Sequence, residues 1–354
     1  MDEATFRILD TLSRELGGMI SINQLTSKIM RYYGTGYYAR TYNKLNDLAK
    51  QGLIQLTKAG RSSIPSLNFS SYTLLDFLAE IEIRKKRELL DSSKTLQPLL
   101  MDMEAFAHSD PQIESISLIN PARNARLNRA ELLILLHDMD HAILPDRLIH
   151  LHSALHSIQS SRIIRIDALP LTIREFHSLL TSNEINPLKE MLSNRITFYN
   201  PRSFWLSISE VLRSSGKIMF ETEETNPAKI SKADIYYNLS RFGYREFGIE
   251  PEPGRSICIE YTIAAIMAGE NARLAASIPI ILAKNKADYS LLIFLAKKFG
   301  FADKLLGLLG AVEKLKPTKE AAAAIRVLET LGAKAAKVNL KDLEGNMRLY
   351  DAIR

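Results

Sequence analysis

The hydrophobic spacing changes period within the first 70 residues, and no other feature narrows the fold as much. Phe6, Ile8, Leu9, Leu12 and Leu16 follow a helical spacing, and Gly17-Gly18 ends it. Ser21, with Gln24 three residues on, predicts a capped second helix through Tyr32. Gly34-Thr35-Gly36 is a turn, and a third helix is expected from Tyr37 to Gln51 with Leu45 and Leu48 inward. Gly52 stands at its C-terminal end. Leu53 to Lys58 then alternates, Ala59 to Ser63 reads as a turn, and Ile64 to Asn68 is expected to pair back.

Three short helices followed by a β-hairpin is the order of a winged helix-turn-helix. The stretch TYNKLNDLAKQGLIQLTKAGR (Thr41–Arg61) resembles the recognition helix and wing of archaeal and bacterial winged-helix regulators. The charge agrees with that resemblance. Between residues 28 and 61 the bases are Lys28, Arg31, Arg40, Lys44, Lys50, Lys58 and Arg61, against the single acid Asp47. A phosphate backbone favours such a balance. Double-stranded DNA is the expected partner, with helix three in the major groove. The expected contacts are Tyr37, Tyr38, Arg40, Thr41 and Lys44 on the helix, and Lys58 and Arg61 on the wing. The competing reading is a winged helix that contacts only protein, its charges solvated.

At 354 residues the chain is long enough for two or three cores. A net charge of +6 is too mild to argue nucleic-acid binding by itself, so placement carries the case. One cysteine excludes an internal disulfide and a cysteine-rich zinc finger. No apolar run reaches bilayer length and the N-terminus is acidic, so no membrane partner and a cytoplasmic location are expected. Residues 71–112 read as linker helices. Their basic cluster Arg84-Lys85-Lys86-Arg87 is expected to be a solvated face.

Residues 113–215 change character. Strands are expected at 113–119, 132–136, 162–169 and 196–199, with helices between and after them. The order resembles the minimal nucleotidyltransferase fold of the DNA polymerase β superfamily. Three stretches carry that resemblance: SLINPARNARLNRAELLILL (Ser117–Leu136), IDALPLTIREFHSLL (Ile166–Leu180) and NPLKEMLSNRITFYNPRSFW (Asn186–Trp205). Active members hold nucleotide phosphates on a Gly-Ser turn and two metals on three carboxylates. Here the turn reads Asn120-Pro121, and Pro121 has no N–H to offer a phosphate. Glu131 and Asp167 are the only acids matching carboxylate positions, which implies a degenerate domain serving as scaffold or sensor. The alternative is an active Mg-dependent nucleotidyltransferase acting on tRNA or protein; without it no cofactor is expected. Five of the seven histidines fall between 137 and 156, and His137-Asp138-Met139-Asp140-His141 invites a metal, but no third ligand is placed by spacing.

Residues 216–233 read as a polar hinge loop. Helices are expected at 256–268, 270–283, 288–299, 301–315, 318–331 and 340–352. This tail resembles the helical C-terminal part of prokaryotic, mainly archaeal, proteins that follow a winged helix with a nucleotidyltransferase-like domain. Asp288 to Leu309 also resembles abortive-infection-type antitoxins. The expected fold class is α+β multidomain: winged helix 1–70, linker 71–112, mixed α/β domain 113–215 and helical domain 216–354. The expected role is a DNA-binding regulator or antitoxin-like factor, with a toxin or other protein, or a second copy of the chain, as further partners.

Overall fold

The computed structural model describes residues 1–60, 62–140, 142–214, 216–220, 226–245, 251–269 and 272–353. Three helices open the chain: α1 (Glu3–Arg14), α2 (Ile22–Tyr33) and α3 (Tyr38–Lys50). A hairpin of β1 (Ile54–Ala59) and β2 (Ser62–Leu67) follows, then α4 (Tyr72–Ser92) and α5 (Leu96–Ser109). Next come β3 (Ile113–Ile119), α6 (Pro121–Arg126), β4 (Arg129–Leu136), α7 (Leu144–Arg162) and β5 (Arg165–Thr172). They lead to α8 (Ile173–Thr181), α9 (Pro187–Ser193), β6 (Arg195–Tyr199) and α10 (Pro201–Arg213). The remaining elements among the described residues are helices: α11 (Lys232–Arg241), α12 (Ile259–Ala268), α13 (Ala272–Ala275) and α14 (Ile278–Lys284). After these stand α15 (Tyr289–Phe299), α16 (Ala302–Leu315), α17 (Lys319–Thr330) and α18 (Leu340–Leu349). The chain is thus mixed α and β, mostly helical. Among the described residues no helix is long and apolar enough to cross a membrane.

The contacts divide the chain into two compact units. The first holds residues 1–137, 172–181 and 188–224; the second holds 138–171, 182–187 and 225–354. These boundaries cut across the sequence divisions at 112 and 215. The opening three helices and hairpin share one unit with α4, α5 and the strands β3, β4 and β6.

In the first unit β3 pairs antiparallel with β4 on one side and β6 on the other. Residues 130–136 of β4 are all buried, which suits their unbroken apolar run. α4 packs on α10, β6 and α1. Its buried stripe of Leu74, Leu75, Leu78 and Ile81 explains why it is 21 residues long yet not free in solvent.

The basic cluster on α4 departs from expectation, because most of it is not a solvated face. Lys85 is buried, its Nζ lying 3.3 Å from Asp10 and 3.5 Å from Glu82 and donating to the Arg195 carbonyl at 2.8 Å. Glu82 accepts from the Thr197 amide at 2.9 Å and pairs with Arg195 at 3.4 Å. Arg84 pairs with Glu3 at 2.6 Å and covers the Phe6 ring, and Lys86 pairs with Glu104; only Arg87 is exposed. Burying charges is costly unless they are paired, so these acids and bases hold α1, α4 and β6 to one geometry.

Two connecting segments are more ordered than their sequence suggests. Asn120, at φ +46, stands just before the short helix α6, so the Asn120-Pro121 turn opens a helix. In 216–220, Ile218 and Phe220 are buried and the Phe220 amide donates to the Leu16 carbonyl at 2.7 Å. Gly17 (φ +80) admits that segment: a Cβ there would lie 1.8 Å from the Ile218 oxygen.

In the second unit α7 packs on α17, α12 on α15, and α16 on α17. Leu151, Leu155, Ile263, Leu291, Phe294 and Leu305 are among its core residues. The helix expected over 270–283 is broken into α13 and α14, because Pro279 favours the first turn of a new helix. α11 begins inside the segment read as a hinge, with Ser231 capping the Asp234 amide at 3.1 Å.

Candidate nucleic-acid interface

The local sequence explains how α3 is presented. Ser21 and Gln24 complete a capping box on α2, and Gly34 (φ +69) ends that helix in the left-handed region. Gly36 passes so close to α2 that a Cβ would meet the Thr26 oxygen at 2.7 Å. Tyr37, extended at φ −121, leads into α3 and makes no side-chain cap. α3 buries Thr41, Leu45 and Leu48 against the helices before it. Its opposite face is open. The hairpin pairs Ile54 with Leu67 through Ala59 with Ser62, so the turn is shorter than the one expected.

The expected contact residues separate. Tyr37 is 61% and Tyr38 50% exposed, and the Arg40 guanidinium lies 5.3 Å from the Tyr37 ring centre. Lys58 is exposed on β1. Thr41 is 7% exposed and belongs to the core face, so its hydroxyl is withdrawn from any ligand on α3. Lys44 is turned aside: its Nζ bonds Asp2 at 2.8 Å. Arg61 lies outside the described residues. The open face adds Tyr42, whose ring stacks on Tyr38 at 6.1 Å, together with Asn43, Asn46 and Lys50. Tyr42, Asn43 and Asn46 carry no charge signal in the sequence, yet their placement follows from Leu45 and Leu48: residues half a turn away from an inward pair point outward.

The acids of the first 20 residues, near this face, are paired within the protein. Asp2 is bound by Lys44 and by the Thr5 amide at 2.9 Å, and the Lys44 contact foremost holds its carboxyl well below the usual range. Arg84 and Arg7 hold Glu3, whose carboxyl is likewise lowered, Arg84 being the larger cause. Glu15 pairs with Lys28 at 2.7 Å. Arg31, Arg40, Lys50 and Lys58 are exposed and make no ion pair among the described residues. Asp47 is the exposed acid on the C-terminal half of α3.

The two acids expected to match a nucleotidyltransferase are buried and committed. In the first unit Glu131 pairs with Arg129 at 3.1 Å. In the second, Asp167 pairs with Arg165 at 3.1 Å and Lys297 at 3.4 Å, and Lys297 also donates to the Ile166 carbonyl at 2.7 Å. A metal-binding carboxylate needs its lone pairs facing an open position, and these face bases. His137 pairs with Glu114 at 3.0 Å; His141 lies outside the described residues. Among the described residues no three His, Cys, Asp or Glu side chains converge. His152 is buried, and that burial foremost, with Lys297 beside it, lowers its pKa to about 3.

Compared with known protein families, curated proteins and solved structures, the chain finds no match.

Proposed function

We propose that residues 1–70 are a winged helix-turn-helix that binds double-stranded DNA, with α3 in the major groove and the β1–β2 hairpin as the wing. The observation that carries this reading is the charge around α3. Each acid in the first 20 residues is paired with a base of the protein, while Arg31, Arg40, Lys50 and Lys58 stay exposed without an ion pair among the described residues. Such an arrangement gives phosphates a surface on which, among the described residues, exposed bases outnumber the one unpaired acid, Asp47. The α3 N-terminus adds to it, having no acid in its first turn.

The remainder of the chain is then a scaffold or sensor for the DNA-binding part, in a transcriptional regulator or antitoxin-like factor. The pairing of Glu131 with Arg129 and of Asp167 with Lys297 supports a non-catalytic role over Mg-dependent nucleotidyl transfer. Fluorescence anisotropy of a labelled random-sequence duplex at several salt concentrations tests the proposal. The full chain is expected to bind, and Arg40→Ala to weaken binding and reduce the salt slope by about one. No binding at low salt, or an Arg40→Ala slope equal to that of the parent, would overturn it.

A further inference from the structure

From the open face of α3 we infer that Asn43 and Asn46 are the base-reading residues, and that they select adenine in A·T pairs. This rests on the DNA-binding reading above. At 3.6 residues per turn, Ala39, Asn43, Asn46 and Lys50 fall within about 60° of arc, opposite the buried Thr41, Leu45 and Leu48. They therefore form the line of closest approach to whatever α3 docks on. Arg40 sits toward one edge of that face and Lys44 is tied to Asp2, so both are better placed for the backbone than for a base. The stripe spans 11 residue steps, about 16 Å, which is the length of about five base-pair steps.

The chemistry of the stripe is amide and small apolar, with one cation, Lys50, at its C-terminal end. Neither Asn43 nor Asn46 makes a side-chain hydrogen bond among the described residues. A carboxamide offers a donor and an acceptor side by side, which matches N7 and N6–H of adenine in the major groove. Ala39, between them and the helix start, is small enough to let the helix seat and is apolar enough to meet a thymine methyl. Tyr42 flanks the stripe, held by its stack on Tyr38. A shallow depression on this face is lined by Asn43, Asn46, Asp47, Ala49 and Lys50. Asparagine is also a weaker helix former than the residues that usually fill a solvated face, so two of them at its centre call for a purpose.

Selection of binding sites from a random duplex library with the full chain tests this. The parent is expected to enrich sites with at least one A·T pair whose replacement by G·C weakens binding about 10-fold. Asn43→Ala or Asn46→Ala should erase that A·T penalty at its own position and leave the penalty at the other position in place. Replacing the chosen adenine by 7-deazaadenine removes the N7 acceptor. It should weaken the parent and leave the matching alanine variant unaffected. Circular dichroism checks that both variants keep the parent's helix content. Enrichment of no A·T position, or enrichment unchanged in both variants, overturns the inference. If Arg40→Ala still weakens random-duplex binding in that case, the DNA-binding reading stands alone. If no duplex binds, both fall together.

Discussion

Lys85 shows how much one side chain decides. It is the cation shared by two acids that are fully buried, Asp10 and Glu82. Burial opposes ionisation of Asp10, but Lys85 and Arg14 outweigh it and hold the carboxyl down at about 2. Tyr33 donates to the same carboxylate. Lys85→Met keeps the stem and removes the charge, leaving the acids short of a partner. Breaking a buried pair in this way costs about 3–5 kcal/mol, so the urea midpoint should fall sharply. A midpoint unchanged within error would mean that the cluster is better solvated than its burial indicates. Arg195 has the complementary role. Its guanidinium lies 4.6 Å from the Phe204 ring centre and 4.5 Å from that of Trp205, and burial lowers its pKa against the pull of Glu82.

At the scale of elements, α3 carries both an attraction and a repulsion. Asp47 is exposed on the flank of its outward stripe, where it faces the phosphates of any duplex seated there. Asp47→Asn should therefore tighten random-duplex binding about two- to fivefold by removing a like-charge contact, read by anisotropy at low salt. Weaker binding would show instead that Asp47 accepts from a base or holds the helix. The same helix shows what the sequence makes legible. Its bounds are set by Gly36 before it and Gly52 after it, and its inward face by Leu45 and Leu48. Thr41 is adjacent in sequence to Arg40 but stands four residues before Leu45 and shares its buried face, so it is not an outward contact. Asn43 and Asn46 carry no charge, and only the buried face set by Leu45 and Leu48 identifies them as outward. The α4 cluster misled for the opposite reason. Four consecutive bases read as solvated, whereas Lys85 and Lys86 pair with Asp10 and Glu104, remote in sequence, and Lys85 also with Glu82 on its own helix. The strands β3 to β6 were readable from apolar runs alone, whereas α6 was hidden because Asn120-Pro121 signals a turn.

Across the whole molecule the two units carry different acid sensitivities. In the second unit His152 is neutral, its pKa lowered from an ordinary 6.5 to about 3 by burial first and Lys297 second. Between these values the unfolded chain binds a proton that the folded one refuses. Stability is then fully present above pH 6.5 and declines as pH falls toward about 3. In the first unit Asp10 binds its proton later when folded, so its contribution is present above an ordinary 3.8 and is lost as pH falls through about 2. Acid should weaken the second unit first. Calorimetry from pH 7 to pH 4 is expected to show one transition moving down while the other moves less, and His152→Leu should flatten the moving one. Two transitions that shift in parallel, or a variant with the parent's slope, would contradict this.

Trp205 gives that division an optical consequence. It is the only tryptophan in the chain and is fully buried in the first unit, against Phe204 and Phe69. Emission excited at the red edge of absorbance therefore originates in that unit alone. A melt followed only at those wavelengths would pass over the second unit's loss of structure in silence.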